Sequence, residues 1–294
     1  MALILPPMQL GSLAWDWSRT CIFGVVNITP DSFYDGGRCF SAEAAIEHGL
    51  TLASQKADVL DIGGESTRPG ADPLPAEEEL LRVLPVISGL ARRCNIPISV
   101  DTYKARVARE AIAAGACIIN DISGLHLDPD MPHVVAETGA VVVLGHLRGA
   151  PATMQRNIHF TDVVSEVVNE LRSSVRKAIS AGVQPDRIWL DPGIGFGKTA
   201  DQSLALLRSA GRLREELGYP IMVGPSRKSF IGEVTGQPPE ERLMGTCAAV
   251  AAVVVAGADG VRIHDVGQMV SAIRVADAIR GRPGYAGPPL LEEQ

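Results

Sequence analysis

Ile188-Trp189-Leu190-Asp191-Pro192-Gly193-Ile194-Gly195-Phe196-Gly197-Lys198 runs apolar residues straight into an acid and then stops. Pro192 and Gly193 bar a regular continuation, so the stretch predicts a buried strand that presents a carboxylate at its C-terminal tip. In a parallel α/β fold that is an active-site position. The glycines at 193, 195 and 197 keep the following loop bare, so its backbone can approach a flat ligand or an anion, while Phe196 offers a ring and Lys198 a charge. Taken alone, a glycine-rich turn with an Asp cap reads equally well. The choice turns on whether an apolar run with a polar tip recurs along the chain.

It recurs seven more times. Cys21 to Ile28 ends around Asn27 and Thr29-Pro30-Asp31, Val59 to Ile62 carries Asp61, and Ile96 to Val100 is tipped by Asp101-Thr102. Cys117 to Ile119 is tipped by Asn120-Asp121, Ala140 to Leu144 by Gly145-His146, and Ile221 to Val223 by a turn reaching Lys228, while Val261 to Ile263 is flanked by Arg262 and His264. Between these runs lie segments of helical spacing: 41–54 with Ser41 as cap, 77–93, 104–114 closed by Gly115, 131–138, 162–181 opened by Asp162, 203–217, 242–256 and 268–280. Eight strand–helix units in 294 residues predict a parallel sheet closed into a single (β/α)8 TIM barrel, with the active site at the C-terminal strand ends. The expected organisation is a lead-in over 1–20, the barrel over 21–280 and a disordered Gly- and Pro-rich tail over 281–294.

Composition narrows the function classes. A hydrophobic content of 46% is enough for a large core, and a net charge of −7 with a pI near 5.4 argues against a nucleic-acid or anionic-membrane surface. The five cysteines are scattered and include no C-x-x-C pair, which supports neither a disulfide framework nor a cysteine zinc site and suggests the cytoplasm. Leu243 to Ala258, the longest uncharged stretch, falls short of the roughly 20 residues a membrane span needs. The glycine motif lacks the helix start and downstream acid of a dinucleotide fingerprint, and neither Ser32 nor Ser226 sits in a G-x-S-x-G elbow. His48, His126, His133 and His159 lack metal-ligand spacing, and His146 reads as a hydrogen-bonded rim residue.

A closed barrel would gather Asn27, Asp61, Asp101, Asn120, His146, Asp191, Lys228, Arg262 and His264 at one mouth. Carboxylates only accept hydrogen bonds whereas an amide both donates and accepts, so two aspartates and an asparagine suit a ring edge with adjacent N–H donors and a carbonyl, such as a 2-amino-4-oxo pyrimidine. Arg262, Arg68, His264 and Asn27 are donors for a polyphosphate. Arg262 and His264 lie two apart on a strand and are expected to face one target together, the rival reading being that Arg262 pairs with Asp265 or Asp259 at the rim.

Seven motifs in order carry a resemblance: Val26 to Phe33 (VNITPDSF), Asp61 to Gly70 (DIGGESTRPG), Val100-Asp101-Thr102, Ile119-Asn120-Asp121, Asp191 to Lys198 (DPGIGFGK), Ser226 to Gly232 (SRKSFIG) and Arg262 to Val266 (RIHDV). Together, over about residues 21–280, they resemble the dihydropteroate synthases. That resemblance implies a pterin-binding TIM barrel that joins 6-hydroxymethyl-7,8-dihydropterin diphosphate to 4-aminobenzoate in folate synthesis, using Mg2+ and, by family expectation, as a homodimer. By the same resemblance Asp101, Asn120, Asp191, Phe196 and Lys228 hold the pterin, Asn27 contacts the metal, and Asn27, Arg68, Arg262 and His264 hold the diphosphate. Phe33, Thr67, Arg68, Pro69 and Ser229 stand on the aminobenzoate side, and Asp101, Asp191, Lys228, Arg262 and His264 form the catalytic set.

The implied chemistry needs little from a base. Electron donation from the dihydropterin ring supports a cation at the exocyclic methylene as diphosphate departs, so stabilising the leaving group and the ring matters more than activating an aromatic amine that is already neutral at pH 7. The chain departs from the family at Gly145, where a Met is common before the His, and at Pro225. Gly145 could widen the pocket, or a neighbour could fill the space. Two other readings share the barrel: a pterin-binding methyltransferase, expected to lack the Ser-Thr-Arg-Pro and Ser-Arg-Lys-Ser motifs, and a non-catalytic paralogue, expected to have lost an acid or Lys228. This chain keeps all of these residues.

Overall fold

Alternate residues on each strand belong to different cores, and that alternation builds the site. The computed structural model describes residues 5–28, 41–68 and 70–284. Its main sheet comprises β3 (Cys21–Asn27), β4 (Val59–Gly63), β5 (Ile98–Asp101), β6 (Ile118–Asp121), β7 (Val141–Gly145), β8 (Ile188–Asp191), β9 (Met222–Val223) and β10 (Gly260–Ile263). The spatial order is β8-β7-β6-β5-β4-β3-β10-β9, every pairing is parallel, and a bridge between Leu190 and Ile221 joins the two ends into a barrel. Cys21, Phe23, Val59, Ile118, Val141, Val143, Trp189 and Met222 pack inside the barrel, while their neighbours Ile22, Leu60, Ile119, Val142, Ile188, Leu190 and Val223 join the larger core under the helices. Side chains two apart on a strand share a face. Asp61, Asp101, Asn120, Gly145 and Asp191 therefore continue the interior rows upward, and the barrel filling changes from apolar to polar at the C-terminal mouth.

The helices are α1 (Ala42–Ser54), α2 (Ala76–Arg93), α3 (Ala105–Ala113), α4 (Met131–Thr138), α5 (Val163–Ser180), α6 (Ala200–Arg208), α7 (Ala210–Leu217), α8 (Ser229–Thr235), α9 (Leu243–Ala256) and α10 (Val266–Arg280). Local chemistry sets their ends: Ser41 Oγ accepts from the Ala44 amide at 3.2 Å, Asp162 caps α5 in the same way, and Gly139 closes α4 in the left-handed conformation. The segment expected as one helix over 203–217 breaks into α6 and α7 at Ser209, whose backbone (φ −98°, ψ 11°) leaves the helical range. The short α8 has no counterpart among the helices read from the sequence.

Inside the 1–20 lead-in, β1 (Met8–Leu10) and β2 (Leu13–Trp15) form an antiparallel hairpin. Met8, Leu10, Trp15 and Trp17 join the interior cluster, and the Trp17 ring lies 5.0 Å from that of Trp189, so the hairpin closes the N-terminal end of the barrel with apolar bulk. At the start of the segment expected to be a disordered tail, Arg282 is buried and donates to Ala258 O and Asp259 Oδ1, both at 3.0 Å. Residues 285–294 lie outside those described. No helix among the described residues is long and apolar enough to cross a membrane.

Candidate active site

The barrel mouth holds a cavity lined by Thr67, Asp101, Asn120, Asp191, Phe196, Lys228, Arg262 and His264. Asn27 ends β3 beside it, its amide oxygen 3.5 Å from where a Cβ on Gly63 would lie. Arg68 and Ser229 are exposed and do not line the cavity, and Phe33, Pro69 and the loop 29–40 lie outside the described residues.

Arg262 organises the floor. Its Nε donates to Asp61 Oδ2 at 2.6 Å and its Nη2 to Asp101 Oδ2 at 2.7 Å, and Asn120 Nδ2 adds a bond to Asp61 Oδ2 at 3.2 Å. Arg262 and His264 line the same cavity, and Arg262 in addition bridges two carboxylates that the closed barrel brings to either side of it, a partnership the sequence reading did not include. The rival pairing is corrected, since Asp265 receives Arg227 at 2.7 Å and Asp259 receives Arg214 at 2.9 Å and Arg282 at 3.0 Å. Asp61, which the sequence reading set at the mouth but gave no role, is fully buried and anchors the guanidinium. Burial pushes the Asp101 carboxyl up, the Arg262 charge holds it down and the neighbouring Asp61 adds to the rise. Asp61 Oδ1 and Asp101 Oδ1 are buried acceptors with no partner among the described residues, and buried acceptors are seldom left so unless something binds them.

The glycine loop supplies the wall. Gly193 has φ 67°, and a Cβ there would lie 2.0 Å from His146 O, so no side chain fits. Its amide donates to Asp191 Oδ1 at 2.7 Å and fixes that carboxylate at the strand tip. The Lys228 ammonium lies 4.1 Å from the centroid of the Phe196 ring, and burial, then Arg262, lowers its pKa to about 8, with Asp191 and Asp101 opposing. Lys198 serves the scaffold: its ammonium donates to His146 Nδ1 and Phe196 O, both at 2.9 Å. Burial lowers its pKa to about 7.

Both histidines near the mouth are neutral at pH 7. His146 is buried, with Nε2 2.9 Å from Glu170 Oε2; since Lys198 donates to Nδ1, the imidazole proton is on Nε2. Ser226 Oγ accepts from the His264 amide at 3.3 Å and is paired with His264 Nδ1 at 2.9 Å, which fixes the ring against the strand tip. Burial lowers the pKa of both to about 4, aided by the charge of Lys198 at His146 and of Arg262 at His264. His264 is therefore a neutral imidazole at the mouth.

Two depressed histidines give a pH prediction. From the ordinary value of 6.5 down to about 4, the unfolded chain binds protons there that the folded chain refuses. The unfolded state holds more protons, so stability rises with pH across this window and falls as pH drops through it, by roughly 3 kcal/mol for the buried His146 alone. Urea midpoints at pH 7.0, 5.5 and 4.5 measure the slope, which His146→Asn should flatten. A midpoint level from pH 6.5 to 4.5 would contradict neutral burial.

Residues 23–264 match the family model described as pterin binding enzyme. The dihydropteroate synthase of Synechocystis sp. is 46% identical over 276 residues, 93% of this chain and 95% of that protein. The chain belongs to the dihydropteroate synthase family. Among solved structures of dihydropteroate synthases, that from Xanthomonas albilineans with 4-aminobenzoic acid superposes with a TM-score of 0.87 at 44% identity, covering 94% of this chain and 98% of that one. The Xanthomonas albilineans enzyme in complex with 7,8-dihydropteroate gives 0.83 at 41% identity, covering 94% and 99%.

Within the dihydropteroate synthase family the glycine at 145 now has a physical account. A Cβ there would stand 2.6 Å from Ile122 Cα and 2.7 Å from Ile122 O, so the backbone of the turn just after β6 fills the space a side chain would need. Gly145→Met should force the two strand tips apart, cost about 1–3 kcal/mol of stability and weaken pterin binding. Thermal melting and calorimetry with a pterin measure both, and a gain in both would show that the tips yield freely.

Proposed function

We propose that this chain catalyses the condensation of 6-hydroxymethyl-7,8-dihydropterin diphosphate with 4-aminobenzoate to give 7,8-dihydropteroate and diphosphate. The observation that carries the reading is the convergence of Asp101, Asn120 and Asp191 with Lys228 in one cavity, where Asp101 keeps a buried oxygen free for a ligand N–H. Carboxylates and an amide accept and return hydrogen bonds to the aminopyrimidinone edge, and the Lys228 ammonium donates to a ring acceptor beside Phe196. The carbon–oxygen bond between the methylene and the diphosphate breaks, the amine nitrogen of aminobenzoate bonds to that carbon and then loses a proton, and diphosphate leaves. Asp101 and Asp191, as anions beside the ring, favour the positive charge that develops on it. The His264 ring and the Arg262 guanidinium face the departing oxygens, with Arg68 contributing from the exposed loop. On the open side Thr67 lines the cavity where the second substrate approaches, with Ser229 at the start of α8.

Asn27 suits Mg2+. Mg2+ keeps several waters and takes few protein oxygens when phosphates supply the rest, and one amide oxygen at the mouth fits that demand. Bound there, the metal would neutralise charge on the leaving diphosphate. Exposed apolar residues on α9 and α10, including Met244, Val275 and Ile279, support a homodimer, which sedimentation can test. The free thiols of Cys21, Cys94, Cys117 and Cys247 support a reducing, cytoplasmic setting.

The deciding experiment incubates the purified chain with both substrates and Mg2+ and follows dihydropteroate and diphosphate in equal amounts. Tight pterin binding with no product would overturn the reading.

A further inference from the structure

Outside the cavity floor, the loop from Glu65 to Leu74 is tied in an unusual way. The chain leaves β4 at Gly63 and enters α2 at Ala76, and the intervening segment carries Thr67, which lines the cavity, and the exposed Arg68. Glu65 lies at the start of this segment, with its side chain only 5% exposed. Its Oε1 accepts from the Leu74 amide at 3.3 Å and from the Tyr103 hydroxyl at 2.7 Å, and its Oε2 is paired with the Lys104 ammonium. One carboxylate thus joins the two ends of the loop and secures both to the β5–α3 connection.

The surroundings keep that carboxylate where it is. Lys104 also pairs with Glu79 on α2, which is fully buried. Burial pushes the Glu79 carboxyl up despite Lys104, whose ammonium is paired with both carboxylates. Arg82 Nη1 donates to Gly64 O at 2.9 Å, which fixes the start of the loop, and the Gly70 amide donates to Pro151 O at 3.2 Å, which docks its far side on the β7–α5 connection. None of these residues lines the cavity, so none is placed to touch substrate.

We propose that Glu65, held by Lys104 and Tyr103, is a positioning residue for the second substrate: by joining the ends of the 65–74 loop it keeps Thr67 at the cavity rim where the aromatic amine must enter. The inference rests on the functional reading above. The pterin set, Asp101, Asn120, Asp191 and Lys228, stands on strand tips and their adjoining loops below the rim, so a freed 65–74 loop leaves it in place. A loop free to leave the competent arrangement lowers apparent affinity in proportion to the population lost. The cost therefore falls on one substrate only.

The test compares Glu65→Gln, Tyr103→Phe and Glu79→Gln in the full-length protein, reading the KM for 4-aminobenzoate, kcat, the pterin Kd and the melting temperature. Glu65→Gln should raise the 4-aminobenzoate KM about ten-fold, with kcat within about two-fold and pterin Kd unchanged, because only the population of the competent loop changes. Tyr103→Phe, which removes one of the three bonds, should move the same KM about three-fold in the same direction. Glu79→Gln shares Lys104 but not the loop, and should leave that KM unchanged even where it lowers the melting temperature. The proposal falls if Glu65→Gln leaves the KM unchanged, if pterin Kd weakens in equal proportion, or if Glu79→Gln raises the KM as much. Should Glu65→Gln fail to fold, an unchanged KM in Tyr103→Phe also overturns it. A wild-type chain that makes no dihydropteroate overturns the functional reading instead, before any variant is compared.

Discussion

Arg262→Ala is expected to lower kcat/KM by about 10²-fold or more, as the loss of a donor to a charge-bearing oxygen does, and to lower the melting temperature as well. Asp61 is fully buried and takes its shortest bond, 2.6 Å, from this guanidinium. Removing one partner of a buried ion pair typically costs about 3–5 kcal/mol, because the other charge stays behind unpaired. At about 2–4 °C per kcal/mol for a domain of this order of size, the melting temperature should fall by roughly 6–20 °C. The loss has a pH signature. Asp101 already sits above the ordinary carboxylate value, and without Arg262 it rises further. An acid whose folded pKa is raised destabilises the fold above its unfolded pKa, increasingly as pH climbs through the folded value. The mutant deficit should therefore be larger at pH 8 than at pH 5.5. Arg262→Lys should rescue little, since one ammonium cannot span two carboxylates as the planar guanidinium does. Pterin affinity should also fall, because Asp101 loses the partner that holds it in place. Normal melting together with full turnover would sink the bridging role.

Asp101→Asn is the second large effect, and it separates binding from stability. The side chain keeps its shape but loses the charge shared between Oδ2, which faces Arg262 Nη2 at 2.7 Å, and the buried Oδ1, which has no partner among the described residues. A hydrogen bond to a charged group is worth about 1.5–3 kcal/mol, so pterin affinity should drop by roughly 10- to 150-fold. Stability should change less than in Arg262→Ala, because Arg262 retains Asp61 and no charge is left alone in the interior. Calorimetric titration with a pterin, beside a thermal melt, measures both quantities. Unchanged pterin affinity would remove Asp101 from the floor of the site.

Much of this molecule was legible in its sequence because the information is periodic and local. An apolar run that ends in Asp191, Asp101 or Asn120 and is followed by a helical repeat states strand, tip and crossover at once, and eight such units leave a closed parallel barrel as the economical way to bury them. Caps such as Ser41 and Asp162 announce helix starts through a side chain three residues or fewer from its target. The shorter elements were not legible for the complementary reason. The hairpin of β1 and β2 has strands of three residues, too short for periodicity to register, and it exists because Met8, Leu10 and Trp15 find Trp189 and Phe23 across the barrel floor.

The sequence by itself determined which residues stand at the mouth, since strand parity fixes which side chains face inward. Only the tertiary structure decided what they do to one another. Arg262 lies 201 residues from Asp61 and 161 from Asp101, and no local rule relates them. Closure of the barrel brings both carboxylates to one guanidinium in a place with little water, where charge outweighs chain distance. The neutral state of His264 and the clamp of Glu65 on Leu74 and Lys104 arise in the same way: burial and contacts between separate strand–helix units set them, and those exist only once the barrel has closed.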